Sequence, residues 1–284
     1  MTLASSSTPE PRFGQLLAGW RRMRAKSQLE LAIEARVSPR HVSFVETGRS
    51  IPSREMVLAL ATALDVPLRE RNALLLAAGY APIYREAPLD APELEAARHA
   101  LALILEHQEP YPAVVMNRYW DVLDANEAAR DFLGFLSGDA APAAPLNVVR
   151  QMLRPDGLRP HVTNWEEVAE SLVQRVHREA LGGVADERTR GLLAEVTAYP
   201  GVPARWRTFD PGVALGPLVP ICFAKDDVVA RYFSTVTTIG TAQDVTLQEL
   251  RVECFFPADA ATRDGAQALR ARLRGRRPGP RDGR

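Results

Sequence analysis

The sequence predicts two domains of different fold class: an all-α domain of five helices, then an α+β domain in which helices cover an antiparallel five-stranded sheet. From Phe13 to Gly79 the apolar residues recur at helical spacing, without strand-like alternation. A proline-containing stretch follows, and beyond it short extended runs alternate with helical segments. A chain of 284 residues is long enough to build both cores.

These patterns also predict the boundaries of the parts. We expect a disordered N-terminus over residues 1–11, the helical domain over 12–80 and a linker over 81–92. The α+β domain is predicted over 93–257, and a mobile basic tail over 258–284.

Charge divides the chain in the same way. Residues 1–85 carry 12 Lys and Arg against 7 Asp and Glu, whereas residues 86–284 carry 23 against 28. Seven Arg and one Asp lie from Ala268 onward. The basic N-terminal part suits a phosphate-bearing partner, whereas the acidic remainder would repel nucleic acid and suits a different function.

Several classes of protein are disfavoured. Cys222 and Cys254 are too few and too far apart for a zinc site, and we interpret them as buried small hydrophobic residues. No apolar stretch approaches the roughly 20 residues that cross a bilayer, and no targeting segment is evident. The expected location is therefore the cytoplasm, with no membrane partner.

Capping signals mark the starts of the second and third helices. Ser27, followed three residues later by Glu30, forms a capping box in which each side chain satisfies a backbone N–H. Ser38 is an N-cap candidate, and Pro39 occupies the first helical position, where a missing N–H costs nothing. Two more helices, over residues 53–64 and 68–78, complete the bundle.

One face of the third helix is not used by the core. Val42 and Val45 face inward, whereas Arg40, His41 and Phe44 lie together on the opposite side. An arginine, a histidine and an aromatic ring on one short helix indicate a binding partner. The alternative is a solvated helix face, with Phe44 buried in a subunit contact.

The residue types and spacing across this pair of helices resemble the helix-turn-helix of the Xre/Cro family. Nine positions carry the resemblance: Gln28, Leu31, Ala32, Val37, Ser38, Val42, Ser43, Glu46 and Gly48. The segment from residue 38 to residue 56 is similar to the MmyB-like subgroup, which joins this module to a ligand-binding domain. The resemblance implies a transcription regulator that binds double-stranded DNA as a homodimer, with its second motif helix in the major groove.

The resemblance also implies roles for individual residues. Base edges would be read by Arg40, His41 and Phe44. Phosphates would be bound by Gln28, Ser43 and Arg49, which set the register without reading sequence.

Arg36 departs from the family pattern, which usually has glycine at this turn. The position tends to require a left-handed backbone, at a cost on the order of 1 kcal/mol for other residues. A phosphate contact by Arg36 would recover part of that cost.

In the second domain, two extended runs at 113–116 and 120–125 have hairpin spacing. Asn126 is positioned to cap the helix that follows, and Asn164 with Glu167 predicts another capping box. Extended runs at 218–224, 231–239 and 247–256 predict an antiparallel meander. Together with the hairpin they give a five-stranded sheet with helices, which is the PAS-like architecture that the family resemblance implies.

A small molecule would lie in the hydrophobic space between sheet and helices. Seven residues are candidate lining: Met116, Trp120, Phe132, Phe135, Trp206, Phe223 and Phe233. Their alternative role is ordinary core. A mostly apolar lining favours a fatty-acid-like ligand, and no other cofactor is expected. Arg205 and Arg207 are candidates to hold its carboxylate, or else lie on a solvated surface.

Two other functions for the second domain stay open. An enzyme is disfavoured because the chain has no HExxH, GxSxG, Walker or GxGxxG motif. A metal site is disfavoured too: His161, Glu166, Glu167 and His177 lie near one another in the sequence, but Glu166 and Glu167 are explained as acids of a helix's first turn. A protein-interaction module would expose an apolar patch instead of enclosing a pocket.

Overall fold

The structure is a computed structural model, and it describes residues 12–138, 146–181, 187–212, 218–240 and 242–274. They divide into two compact units. One holds the described residues up to Ala87 and those from 242 to Gln248, and the other holds the rest. Along the described part of the chain, no helix combines the length and the apolar character that a membrane crossing requires.

The first unit confirms the predicted five-helix bundle. Its helices are α1 (Phe13–Met23), α2 (Gln28–Glu34), α3 (Pro39–Glu46), α4 (Arg54–Ala63) and α5 (Leu68–Ala77). The caps predicted at Ser27 and Ser38 form, and Ser53 caps α4 in the same way. Each serine side chain accepts a hydrogen bond from an N–H group of the first turn of its helix. The helices enclose one core, whose largest fully buried members are Leu17, Trp20, Leu31, Leu60, Leu64, Leu74 and Leu75.

The predicted linker over 81–92 is wrong in its first half. Asn72 on α5 accepts hydrogen bonds from the backbone N–H groups of Ile83 and Tyr84, both at 3.1 Å, and donates to the Tyr84 carbonyl at 2.7 Å. One amide side chain thus ties a proline-containing segment to the bundle. Proline content alone did not show this attachment.

The second unit contains the predicted five-stranded antiparallel sheet. Its strands are β1 (Ala113–Met116), β2 (Val122–Ala125), β3 (Ile221–Lys225), β4 (Val228–Thr237) and β5 (Arg251–Pro257), in the order β2-β1-β5-β4-β3. Both the hairpin and the meander are confirmed. The pairing of β1 with β5 joins them and makes β5 the central strand.

The connection from β4 to β5 is partly helical, whereas an extended run was expected from residue 247. Helix α11 (Val245–Glu249) begins after Asp244, whose carboxylate accepts from the Thr246 N–H and from the Ala87 N–H. The Gln248 side chain accepts from the Leu68 N–H at 2.6 Å. These long-range bonds to the first unit's own residues explain why residues 242–248 belong to that unit.

Helices cover the sheet and share its core. They are α6 (Glu95–His107), α7 (Glu127–Ser137), α8 (Val148–Leu153), α9 (Trp165–Leu181), α10 (Glu187–Val196) and α12 (Ala260–Arg274). Asn126 caps α7 as predicted. The predicted capping box of Asn164 and Glu167 is reduced to a side-chain hydrogen bond, in which Asn164 Nδ2 donates to Glu167 Oε2 at 3.2 Å. The Asn164 side chain also bonds the backbone of Pro220 and Cys222 at the start of β3.

The predicted mobile tail from residue 258 is wrong as far as Arg274. Helix α12 begins at a cap in which the Asp259 carboxylate accepts from the Thr262 N–H at 2.7 Å. Leu269 packs against the core, and Arg270 forms an ion pair with Glu109 at 2.8 Å. The arginines of this segment therefore accompany an amphipathic helix. Residues 275–284, like residues 1–11, lie outside the described residues.

Two glycines of α1 allow a test of how closely the bundle packs. A Cβ atom on Gly14 would lie 2.3 Å from the Glu46 carbonyl oxygen, whereas one on Gly19 would have no atom within 4 Å. We expect Gly14→Ala to lower the free energy of unfolding by about 1 to 3 kcal/mol through overpacking. Gly19→Ala should raise it by about 0.5 to 1 kcal/mol, because alanine favours helix. Urea titration of both variants would measure this, and equal effects would contradict the close approach of α1 to α3.

Candidate DNA-binding surface and ligand cavity

The outer face of α3 brings two arginines onto one aromatic ring. The Arg40 guanidinium lies 5.1 Å from the centre of the Phe44 ring, and that of Arg49 lies 5.9 Å from it. Both arginines are exposed and Phe44 is half-buried, while Val42 and Val45 on the other side of α3 are buried. Cation–π contacts order these long side chains on an exposed face.

A buried ion pair fixes the end of α3. The Glu46 carboxylate accepts from Arg21 at 2.7 and 3.0 Å and from the Gln28 amide at 2.7 Å. Burial by itself would raise the pKa of Glu46, but the hydrogen bonds from Arg21 and Gln28 outweigh it and hold that pKa below its ordinary value. Since these partners belong to α1 and α2, the ion pair fixes α3 relative to both.

The turn between α2 and α3 has the left-handed residue that its sequence indicated. Arg36 adopts φ of 56°, and the N–H of Val37 returns to the Ala32 carbonyl at 2.9 Å. The Arg36 side chain is exposed. The strain is local, and the surrounding backbone bonds hold the turn.

The second unit encloses a cavity between one face of the sheet and helices α7, α8 and α9. The cavity volume is about 180 Å³, which is below the range of about 300 to 1,000 Å³ that is common for small-molecule sites. Sheet, helices and connecting segments contribute 23 residues, most of them aliphatic or aromatic. Phe132 of α7 packs edge-on against Phe223 and Tyr232 of the sheet, at centroid distances of 5.1 and 5.8 Å.

Five polar side chains interrupt this apolar lining. From the helices come Gln151, Ser171 and Arg175, and from the sheet come Ser234 and Glu253. Trp120 stands beside them in the hairpin turn, with φ of 68° and the Arg175 guanidinium 4.7 Å from the centre of its ring. The cavity therefore combines an apolar body with a polar end, as an amphipathic ligand requires.

Comparison with known families assigns both units. A family model described as "MmyB-like transcription regulator ligand binding domain" matches residues 97–269, which is more than half of the chain, and a model described as "Helix-turn-helix domain" matches residues 12–74. The chain belongs to the MmyB-like transcription regulators. It is therefore a DNA-binding regulator with a separate ligand-binding domain.

Two solved structures are similar to parts of this MmyB-like regulator. The clp gene regulator ClgR from Corynebacterium glutamicum is 29% identical, with 36% of this chain and 99% of that chain covered, at a TM-score of 0.22. An RNA-binding light-oxygen-voltage receptor is 11% identical, with 93% of this chain and 62% of that chain covered, at a TM-score of 0.27. No curated protein matches the chain.

The structure brings the predicted DNA-contacting residues of the regulator to one region. Arg40, His41 and Phe44 share the outer face of α3, and Arg49 follows that helix. Ser43 is half-buried on α3. The Gln28 amide already donates to Glu46, so this residue also has a structural role within the unit.

Three of the seven predicted lining residues lie in the cavity wall: Trp120, Phe132 and Phe223. The other four lie outside it. Met116 is fully buried in the core, Trp206 packs on Trp165, and Phe135 packs beside Lys225 and Arg272. Phe233 stacks on Phe256, on the face of the sheet opposite to Tyr232 and Ser234.

The charged residues expected near a ligand are also placed differently. Arg205 is exposed and pairs with Glu170, and neither Arg205 nor Arg207 lines the cavity.

His177, one of the residues considered for a metal site, bonds the Trp206 carbonyl at 2.9 Å. Within the described residues, no three histidine, cysteine or acidic side chains come together as a metal site.

Sequence reasoning missed Arg175 and Glu253. A signal existed for Arg175, because it lies at helical spacing from Val168 and Leu172 of the apolar stripe. For Glu253 the sequence pattern was misleading. Alternation along β5 groups it with Arg251, which is typical of a solvated face, and only the packing of helices over that face makes it a cavity residue.

The Glu46 ion pair generates a pH prediction. Because the folded-state pKa of Glu46 is lowered, its ionised form stabilises the fold above the unfolded pKa, and this contribution is lost as the pH falls through the folded pKa. We expect Glu46→Gln to lower the free energy of unfolding by on the order of 2 kcal/mol at neutral pH. The difference from the native chain should shrink toward pH 3, which urea titrations at several pH values would measure. A constant difference would contradict the charged role of Glu46.

Proposed function

We propose that this regulator senses a small hydrophobic, fatty-acid-like molecule in the cavity of its second unit and reads DNA as a homodimer through α3. The observation that carries the ligand proposal is the cavity itself. It is lined mainly by apolar side chains, opens within the ligand-binding domain, and has one polar end. An acyl chain would fill the apolar part, and a head group would meet the polar part.

The DNA proposal rests on the geometry of α3. Arg40 and Phe44 lie one helical turn apart on the exposed face, where a major groove would meet them. Arginine recognises guanine by bonding its O6 and N7 together, and phenylalanine packs on a thymine methyl. Arg49 lies beyond the helix end, where a phosphate contact is the expected role. A dimer would place two such helices about one DNA turn apart, or a multiple of it.

Copurification tests the ligand proposal. We expect native mass spectrometry of the full chain, followed by organic extraction, to yield a lipid-sized carboxylic molecule. A bulky residue in the wall, Leu172→Trp, should remove it by filling the cavity. The matched control is Leu123→Trp, since Leu123 is exposed on β2 and outside the wall. A clean native protein that also fails to bind added fatty acids would contradict the ligand proposal and favour a protein-interaction module.

Two arginine variants test the DNA proposal. Arg40→Ala should weaken binding to a site selected from random DNA by about 1 to 3 kcal/mol and relax preference at one base pair. Arg49→Ala should weaken binding to every sequence and lower the salt slope by about one contact. Fluorescence titrations at several salt concentrations would measure both effects. Equal losses on selected and scrambled DNA from Arg40→Ala would remove its base-reading role.

A further inference from the structure

Glu253 occupies an unusual position for a carboxylate. It lies on β5, the central strand, and its cavity-facing neighbours in the sheet include Val114 and Phe255. Only 8% of its surface is exposed. A carboxyl group placed on an apolar face, far from the sheet edges, loses its hydration unless partners replace it.

The described residues replace that hydration only in part. Ser234 Oγ donates to Glu253 Oε1 at 2.6 Å. The second oxygen, Oε2, has no hydrogen-bond partner among the described residues, although the residue lines the cavity. Oε2 is not fully shielded, since it keeps access to the cavity that Glu253 lines, and a ligand group there can bond to it.

The opposite wall offers complementary groups. Arg175 on α9 uses Nε to donate to Glu179 at 3.3 Å, and in the described structure its two terminal nitrogens have no hydrogen-bond partner. Gln151 on α8 is 9% exposed, and its side-chain amide likewise has no partner there. The polar end of the cavity therefore presents donors from the helices and a carboxyl group from the sheet.

These two walls impose opposite demands on a head group. A carboxylate suits Arg175 but is repelled by an ionised Glu253, whereas a cation suits Glu253 but is repelled by Arg175. A neutral hydroxyl both donates and accepts, so it bonds to Glu253 in either protonation state. One molecule meets both demands when it carries the two groups close together.

Building on the proposed lipid-sensing function, we propose that the cavity selects a fatty acid with a hydroxyl group near its carboxylate, the carboxylate binding Arg175 and the hydroxyl binding Glu253 and Ser234. Burial raises the pKa of Glu253 above its ordinary value and outweighs the Ser234 hydrogen bond and the charges of Arg175 and Arg251, which lower it. A hydroxyl bonds to this carboxyl group in either protonation state, whereas a plain carboxylate is accepted only by the protonated form.

Calorimetric titration of the full-length protein with two probes tests the proposal. The probes are dodecanoic acid and 3-hydroxydodecanoic acid, which share one chain length and differ in one hydroxyl. At neutral pH we expect the hydroxy acid to bind about 10-fold more tightly, since a hydrogen bond to a charged or buried partner has an effect of that size.

Variants assign the preference to its residues. Glu253→Met, which removes the carboxyl group but keeps the side-chain length, should bring the two affinities within about 3-fold of each other. Arg175→Met should weaken both acids by a similar factor and leave their ratio unchanged. Thr235→Ala is the matched control, because Thr235 is exposed on β4 and lies outside the cavity wall, and it should preserve the ratio. Thermal melts identify any variant that fails to fold, in which case Glu253→Gln, which should strengthen binding of the plain acid, replaces Glu253→Met.

The outcomes separate this inference from the proposed function. Equal binding of the two acids by the native protein, or an unchanged ratio in a folded Glu253 variant, would overturn the hydroxyl selection while leaving lipid binding intact. If neither acid bound, the fatty-acid proposal itself would fail, and the selection with it.

Discussion

The pairing of β1 with β5 is the contact on which the second unit depends. It joins a hairpin formed early in the domain to a meander formed at its end, and Val114 lies opposite Glu253 in the register. The entropy of closing so long a loop rises slowly with length, by about 0.6 kcal/mol per doubling, so the intervening helices are tolerated. Those helices then have one sheet face to cover, and the cavity lies between the two layers.

A different interaction organises the first unit. Glu46 accepts hydrogen bonds from Arg21 and Gln28, which belong to two other helices of the bundle. A buried ion pair contributes little net stability on average, but breaking it is costly, so it holds one geometry well. That geometry keeps the outer face of α3 exposed, where Arg40 and Phe44 are ordered by their own contact.

The two units therefore use buried carboxylates for different purposes. Glu46 is satisfied on both oxygens and fixes structure, whereas Glu253 is bonded through only one oxygen among the described residues. A satisfied group has nothing left to offer a ligand. An incompletely satisfied group in a cavity wall retains hydrogen-bonding capacity, and this difference separates a structural acid from a candidate binding group.

The sequence by itself determined the local structure and the family. Caps such as Ser27 and Ser38, helical periodicity and the hairpin spacing predicted the five helices and five strands, because these signals act over a few residues. The same local pattern placed Arg40, His41 and Phe44 on one face of α3. Tertiary structure decided which residues line the cavity. Phe233 and Trp206 are as apolar as Phe132, but Phe233 lies on the other face of the sheet and Trp206 packs on Trp165, so neither lines the cavity. Long-range packing also makes Glu253, which the sequence pattern suggests is a surface residue, part of the cavity wall. Strand alternation states which residues share a face, but only packing between distant segments determines which face is covered.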